Sequence, residues 1–141
     1  MTDRPIYLLD TNTVSYLFKE QSPAIRKAWA DAEKTSRIVI STVTAAELLF
    51  GLEKNPSSIR NREAVQRLLA NVEVLPWDLE AARAYAVLRQ QLSTNGKTLE
   101  THDLMIAAHA RSLRAPLVTR DKAFEYLEGR VTVVNWATDL K

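Results

Sequence analysis

The chain has 141 residues, of which 46% are apolar and 26% are charged, proportions typical of a folded globular domain. It has no cysteine and two histidines, His102 and His109, which excludes disulfide scaffolds, thiolate zinc sites and His-rich metal centres. No apolar run approaches the ~18 residues of a membrane span, and the first five residues lack an apolar leader core. We therefore expect a cytoplasmic protein with one domain at residues 1–141. The net charge of +2 is too small to indicate a nucleic-acid partner by itself.

Apolar periodicity, helix caps and Pro or Gly breaks predict the secondary structure. In chain order the predicted elements are a strand at 6–9, helices at 14–18 and 23–33, a strand at 37–41, a helix beginning at Thr42 or Thr44, a helix at 58–71, a strand or turn at 72–75, a long helix capped by Asp78 and ended by Asn95-Gly96, a helix capped by Thr101 and ending near 114, a strand at 116–119, a short helix at 121–127 and a strand at 131–134.

Strands and helices alternate along nearly the whole chain. That order favours an α/β fold with a mainly parallel sheet covered by helices on both faces. In such sheets ligands bind at the carboxyl ends of the strands, near the point where the strand order switches. Asp10 and Asp121 each follow a predicted strand, so they are candidate site residues. Helix capping is the structural alternative for both.

Two further acids lie on predicted helices. Glu47 has Val43, Phe50 and Gly51 on its own helix face, although a structural role is the alternative for a single Glu there. Asp103 shares the apolar face of its helix, where an unpaired carboxylate is costly unless backbone N–H groups or a metal ion stabilise it. Asp103 is therefore the most informative of the four acids.

Together these positions predict four carboxylates at one end of one sheet. Crowded carboxylates raise one another's pKa and cannot all remain ionised without a cation. Ligands that are all oxygen select hard ions such as Mg²⁺ or Mn²⁺. An acid-lined site of this kind suits phosphoryl chemistry.

The acids lie in four short motifs that resemble the ordered motifs of PIN domains, and more narrowly of VapC-type toxins from bacterial toxin–antitoxin pairs. The likeness extends to the chain length and to the closing Val134-Asn135-Trp136. The motifs are Leu8-Leu9-Asp10-Thr11-Asn12, Ala45-Ala46-Glu47-Leu48-Leu49-Phe50-Gly51, Asp103-Leu104-Met105-Ile106-Ala107-Ala108-His109-Ala110 and Val118-Thr119-Arg120-Asp121.

The resemblance implies a three-layer αβα PIN-like domain and a Mg²⁺- or Mn²⁺-dependent endoribonuclease that cleaves structured RNA such as tRNA or rRNA. It implies a VapB-like antitoxin as partner, a homodimer, and membership of a larger toxin–antitoxin complex. The implied catalytic and metal-binding residues are Asp10, Glu47, Asp103 and Asp121, with Asn12 and Thr119 as supporting polar residues. Asp10 and Asp103 would hold the main ion, and Glu47 and Asp121 would complete its shell or support a second ion.

The sequence departs from the family pattern at two places. Glu100 stands where a small residue is common, and we expect it to face solvent. Arg120 stands where Asn is common, and RNA contact, antitoxin contact and a plain surface role are open to it. Arg111 and Arg114 are further candidates for RNA contact. His102 beside Asp103 could tune the site or carry protons, whereas His109 is expected to be packed.

Two other functions compete with this interpretation. Residues 10–14 also resemble the nucleophile motif of haloacid-dehalogenase-type aspartyl phosphatases, but that chemistry needs a second Asp where this chain has Asn12. The other alternative is a catalytically silent binding module of similar fold.

Overall fold

The computed structural model describes residues 4–19, 23–127 and 129–136, and its strands form one parallel sheet. The strand order is β3-β2-β1-β4-β5. The strands are β1 (Ile6–Leu9), β2 (Arg37–Ser41), β3 (Glu73–Leu75), β4 (Leu117–Val118) and β5 (Val133–Val134). From β1 the chain adds β2 and β3 on one side and later adds β4 and β5 on the other, so the order switches between β1 and β4.

Helices cover both faces of the sheet. They are α1 (Thr11–Lys19), α2 (Pro23–Glu33), α3 (Thr42–Lys54), α4 (Ile59–Asn71), α5 (Leu79–Thr94) and α6 (Thr101–Ser112), followed by a 3₁₀ helix (Lys122–Leu127). Residues adjacent in a strand point to opposite faces. Leu8 therefore packs with α5, α6 and the 3₁₀ helix, whereas Leu9 packs with α1 to α4. This is the expected three-layer αβα architecture.

The register of the sheet brings the two central strands to a common end. Leu8 pairs with Val39 on one side and Leu117 on the other, and Leu9 pairs with Val118. The residues after β1 and after β4 therefore emerge side by side at the switch point.

The elements differ from the predictions mainly at their ends. Helix α1 begins at Thr11 rather than Val14, because the Asp10 carboxylate accepts the Thr13 N–H and stabilises a polar first turn. Thr101 is not a cap: it is the first residue of α6, and the cap position is held by Glu100, whose side chain makes no capping hydrogen bond. Residues 73–75 form a strand rather than a turn.

The last elements are shorter or tighter than predicted. Strands β4 and β5 each have two residues. Strand β4 begins after Pro116, which has no N–H to donate to a ladder. The helix after Asp121 is 3₁₀, with the Phe124 N–H donating to the Asp121 carbonyl at 3.2 Å.

Among the helices in the described ranges, none combines the length and apolarity that crossing a bilayer would require.

Candidate active site

Asp10 lies directly after β1 and is 2% exposed. One of its carboxylate oxygens accepts the Thr13 N–H at 2.8 Å, and the other accepts the Thr119 hydroxyl at 2.5 Å. Burial raises the pKa of Asp10, the hydrogen bonds from Thr119 and Thr13 lower it, and the charge on Asp121 raises it further, with a net rise. The carboxylate is therefore held in a fixed direction in surroundings that disfavour its charge.

Thr119 joins the ends of the two central strands. It follows β4, is 1% exposed, and donates its hydroxyl to Asp10 while accepting the Asp121 N–H at 3.0 Å. Asp121 in turn accepts the Ala123 N–H at 2.9 Å, which caps the 3₁₀ helix. Thr119 thus links Asp10 to the backbone that carries Asp121.

Glu47 approaches from α3, where it is the sixth residue after the end of β2. Its Oε1 accepts the hydroxyl of Thr11 at the start of α1. Its Oε2 lies 3.0 Å from the His102 Nε2 on α6. Glu47 is therefore fixed between two other elements, and it does not extend freely into solvent.

Asp103 lies in the first turn of α6 and its side chain is 20% exposed. Its pKa is raised to about 6, because burial disfavours the charge more than nearby His102 favours it, and because the charges on Asp121, Glu47 and Asp10 repel it. Each of the other three predicted acids contributes to that rise. The structure therefore brings the other three carboxylates within electrostatic range of Asp103 at the switch point of the sheet.

These four side chains form a donor set that fits a hard divalent cation. All their donor atoms are carboxylate oxygens, and their mutual repulsion is the condition that a cation relieves. Among the described residues, the group whose ligand atoms lie within 4.8 Å of one another contains one member of this set, Asp103, together with Glu100 and His102. The structure thus contains an acidic cluster that could hold a metal ion.

The remaining predicted residues differ in how close they lie to this cluster. Asn12 is exposed, and within the described residues no hydrogen bond joins it to the four acids. Arg120 lies beside Asp121 at the rim, with its guanidinium 3.7 Å from the centre of the Tyr16 ring. Arg111 and Arg114 lie at the opposite end of α6 from Asp103, at the amino ends of the strands.

Two contacts at the site go beyond what the sequence predicts. Thr11 is predicted only as a helix-start residue, yet it fixes Glu47, a pairing that depends on how α1 packs on α3. His102 approaches three carboxylates, including Glu100 at 3.5 Å, although the Glu100 side chain is 76% exposed as expected.

His109 is packed, as predicted, and burial lowers its pKa.

The comparisons with known proteins agree with this geometry. Residues 7–129 match the PIN domain family. VapC ribonuclease Y4jK from Sinorhizobium fredii is 38% identical over 120 residues, which are 81% of this chain and 86% of that protein. The tRNA(fMet)-specific endonuclease VapC from Salmonella typhimurium is 34% identical over 131 residues, 92% of this chain and 97% of that protein.

A solved structure supports the same assignment. VapBC2 from Rickettsia felis, bound to a DNA fragment from its promoter, superposes with a TM-score of 0.87 at 27% identity. The match covers 93% of this chain and 98% of that one. The carboxylate cluster at the switch point, the family match and the full-length relatives lead to one conclusion. The chain belongs to the PIN domain family, among the VapC-type ribonucleases that act as toxins of toxin–antitoxin systems.

Proposed function

We propose that this chain hydrolyses RNA phosphodiester bonds at the four-carboxylate cluster, with Mg²⁺ or Mn²⁺ held by Asp10, Glu47, Asp103 and Asp121. One observation carries this assignment: Thr119 links Asp10 to the Asp121 backbone at the switch point, and His102 contacts both Glu47 and Asp103. Burial, together with the charges of Asp121, Glu47 and Asp10, raises the pKa of Asp103, as expected for members of one group. When bound, a divalent ion supplies charge neutralisation and activation of water for hydrolysis.

The protein's own contribution is to fix the direction of its carboxylates before a substrate arrives. Thr13 and Thr119 hold Asp10, and Thr11 holds Glu47. Such outer hydrogen bonds orient ligands and tune the site. Arg120 at the rim provides a positive charge that can contact an RNA phosphate beside the acids.

The chemistry of the products separates this mechanism from its main competitor. Hydrolysis by water does not use the RNA 2′-hydroxyl as nucleophile. We expect fragments with 5′-phosphate and 3′-hydroxyl ends, whereas 2′,3′-cyclic phosphate ends would contradict the proposal.

Structured RNA is the proposed substrate class, and tRNA is the first candidate, because a relative that is 34% identical is named as a tRNA(fMet)-specific endonuclease. The test is to incubate the purified chain, free of any antitoxin, with total tRNA and Mg²⁺ or Mn²⁺. Parallel reactions contain EDTA or the Asp103→Asn variant. Glu53→Gln is the matched control, since it removes an exposed acid from the same helix as Glu47.

We expect discrete fragments with the wild type and Glu53→Gln, and none with EDTA or Asp103→Asn. If tRNA remains intact, ribosomal RNA is the next substrate. Intact RNA in both cases, with metal binding demonstrated, would favour the silent binding module. Family membership argues against the aspartyl-phosphatase alternative, as does Asn12, which stands where that chemistry needs a second Asp.

We further propose a VapB-like antitoxin as partner, because several solved relatives are VapBC complexes. A cavity of about 460 Å³ between α2 and α4 offers a docking site with an aromatic wall, Trp29, and a cationic rim that includes Arg60 and Arg67. An Arg67→Glu variant should stay toxic when the antitoxin is coexpressed, while the wild type should be neutralised. If the antitoxin neutralises the wild type and Arg67→Glu equally, it binds at another surface of the chain.

We also propose that the chain forms a homodimer, that it assembles into a larger toxin–antitoxin complex, and that it is located in the cytoplasm. Helix α5 offers a dimer face, since Leu79 is 63% and Val87 is 47% exposed. Light scattering after size exclusion should give twice the chain mass, and Val87→Glu should shift it towards the monomer.

A further inference from the structure

A second polar cavity lies at the end of the sheet away from the carboxylate cluster. Its volume is about 440 Å³. It is lined by Ala110, Arg111, Arg114, Ala115, Pro116, Arg130, Val131 and Thr132. Pro116 and Thr132 directly precede β4 and β5, so the cavity opens at the amino ends of these strands. Asp103 in the first turn of α6 and Arg111 in its last turn are about 12 Å apart along the helix, at 1.5 Å per residue.

The charged residues that line this cavity are all basic. Three of its eight lining residues are arginines, and none is acidic. Among the described residues, no carboxylate pairs with Arg111, Arg114 or Arg130, whereas Arg37 and Arg83 each pair with a glutamate. Within the described residues, the Nη1 of Arg111 is buried and has no hydrogen-bond partner, which is costly for a guanidinium nitrogen. Arg111 is half-buried and Arg114 is exposed, so an anion in the cavity would meet their other, accessible donors.

The backbone at Arg114 adds an independent observation. Its φ is +54°, a left-handed conformation that favours glycine. It stands where α6 ends in a Schellman motif: the Ala115 N–H donates to the Ala110 carbonyl at 2.9 Å, and the Arg114 N–H donates to the Arg111 carbonyl at 3.0 Å. Glycine is the usual residue at that position. A strained arginine there indicates a use for its side chain.

The dipole of α6 favours a cation at Arg111, in its last turn, but it does not by itself account for all three arginines. Cations near a helix C-terminus are stabilised by unpaired carbonyls. Here the carbonyls of His109, Ala110 and Arg111 already accept backbone N–H groups. The third arginine, Arg130, belongs to a separate segment before β5.

We propose that this cavity binds a phosphate ester, at a site separate from the carboxylate cluster. Three guanidinium groups provide forked donors that match the oxygens of a phosphate. Ala110, Ala115, Pro116 and Val131 provide an apolar wall for the esterified group. The ester can come from the backbone of bound RNA or from a free nucleotide, and the experiment distinguishes the two. The cavity does not depend on the catalytic assignment.

The test measures binding of inorganic phosphate and of adenosine 5′-monophosphate by calorimetry, in EDTA so that no metal bridges the ligand to the acids. The key variant is Arg114→Gly, which removes a guanidinium and also relieves the left-handed backbone. It should melt at a higher temperature than the wild type while binding the nucleotide at least tenfold more weakly. Arg130→Gln should weaken binding similarly. The matched control is Arg83→Gln, which removes an exposed arginine on α5 and should not weaken nucleotide binding.

A second arm measures the affinity of the metal-free chain for tRNA over a range of salt concentrations. If the RNA backbone occupies the cavity, Arg114→Gly and Arg130→Gln lower the affinity and flatten its salt dependence. If a free nucleotide is the ligand, these variants lose nucleotide binding and keep their RNA affinity. The proposal is overturned if neither phosphate nor nucleotide binds, or if both variants bind as tightly as Arg83→Gln.

Discussion

At the residue scale, the site depends on single hydroxyl groups that hold charged side chains. The buried Thr119 hydroxyl donates to Asp10 and accepts the Asp121 N–H. The Thr11 hydroxyl donates to Glu47. The Thr119 hydroxyl donates to a carboxylate whose charge is opposed by burial, and it lowers the pKa that burial raises. Both threonines hold their carboxylates in a fixed direction.

Thr119→Val tests this dependence, because it removes the hydroxyl and keeps the shape of the side chain. The buried Asp10 then loses a hydrogen bond, which should raise its pKa further and cost about 1–3 kcal/mol of stability. Metal affinity or cleavage should fall roughly 10–100-fold. Thr119→Ser keeps the hydroxyl and should stay near wild type. Equal metal affinity and cleavage rates for the Val and Ser variants would contradict the role given to this bond.

The raised pKa of Asp103 leads to a second prediction at this scale. Its pKa rises from 3.8 in the unfolded chain to about 6 in the fold. The stability that this group contributes is therefore fully present below pH 3.8 and is lost as the pH rises through 6. At pH 7.5 in EDTA, Asp103→Asn should unfold at a higher temperature than the wild type. Its free energy of unfolding should be larger by on the order of 1 kcal/mol, once solvent screening is allowed for.

This gain should disappear near pH 4, where the wild-type carboxyl is protonated. Asp31→Asn is the control, because the pKa of Asp31 is lowered by Lys27 and its removal relieves no repulsion. Thermal unfolding across this pH range measures both. A lower unfolding temperature for Asp103→Asn at pH 7.5 would show that its charge does not oppose folding.

At the element scale, local sequence signals place most strands and helices but not their ends. Ser58 and Asp78 cap α4 and α5, because each side chain accepts an N–H three residues later. At α6 the same reasoning predicts Thr101 as the cap, yet the helix begins one residue earlier than that cap requires. Helix α6 packs on α5 and on the sheet, and no local sequence signal indicates where it begins.

Glu100→Ser should therefore stabilise the chain. Glu100 occupies the cap position of α6 without a capping hydrogen bond, and serine there can accept an N–H of the first turn. The expected gain is about 0.5–1 kcal/mol, measured by thermal or urea unfolding. Glu100→Ala removes the same carboxylate without adding a cap, so it separates capping from the loss of the contact with His102. The idea fails if Ser and Ala variants unfold alike.

At the scale of the whole molecule, the sequence predicts a parallel sheet with acids at strand ends but not which strands are neighbours. The bond from Thr119 to Asp10 joins residues 109 apart, and the bond from Thr11 to Glu47 joins residues 36 apart. Both depend on the strand order, with β1 between β2 and β4. Periodicity describes each element alone. Strand-end and helix-face positions therefore predict that the four acids share one end of the sheet, whereas the bonds between particular side chains depend on the strand order.

Because these acids come from four separate elements, a cation bound among them should stabilise the whole fold. Ligand binding to the folded state alone stabilises it by about 2.7 kcal/mol when the ligand is at 100 times its Kd. Titrating Mn²⁺ into the EDTA-treated chain should therefore raise the unfolding temperature progressively. Asp121→Asn should reduce this rise, whereas Glu53→Gln, an exposed acid on α3, should leave it unchanged. An unfolding temperature that does not respond to Mn²⁺ would mean that the cluster binds no ion in the absence of RNA.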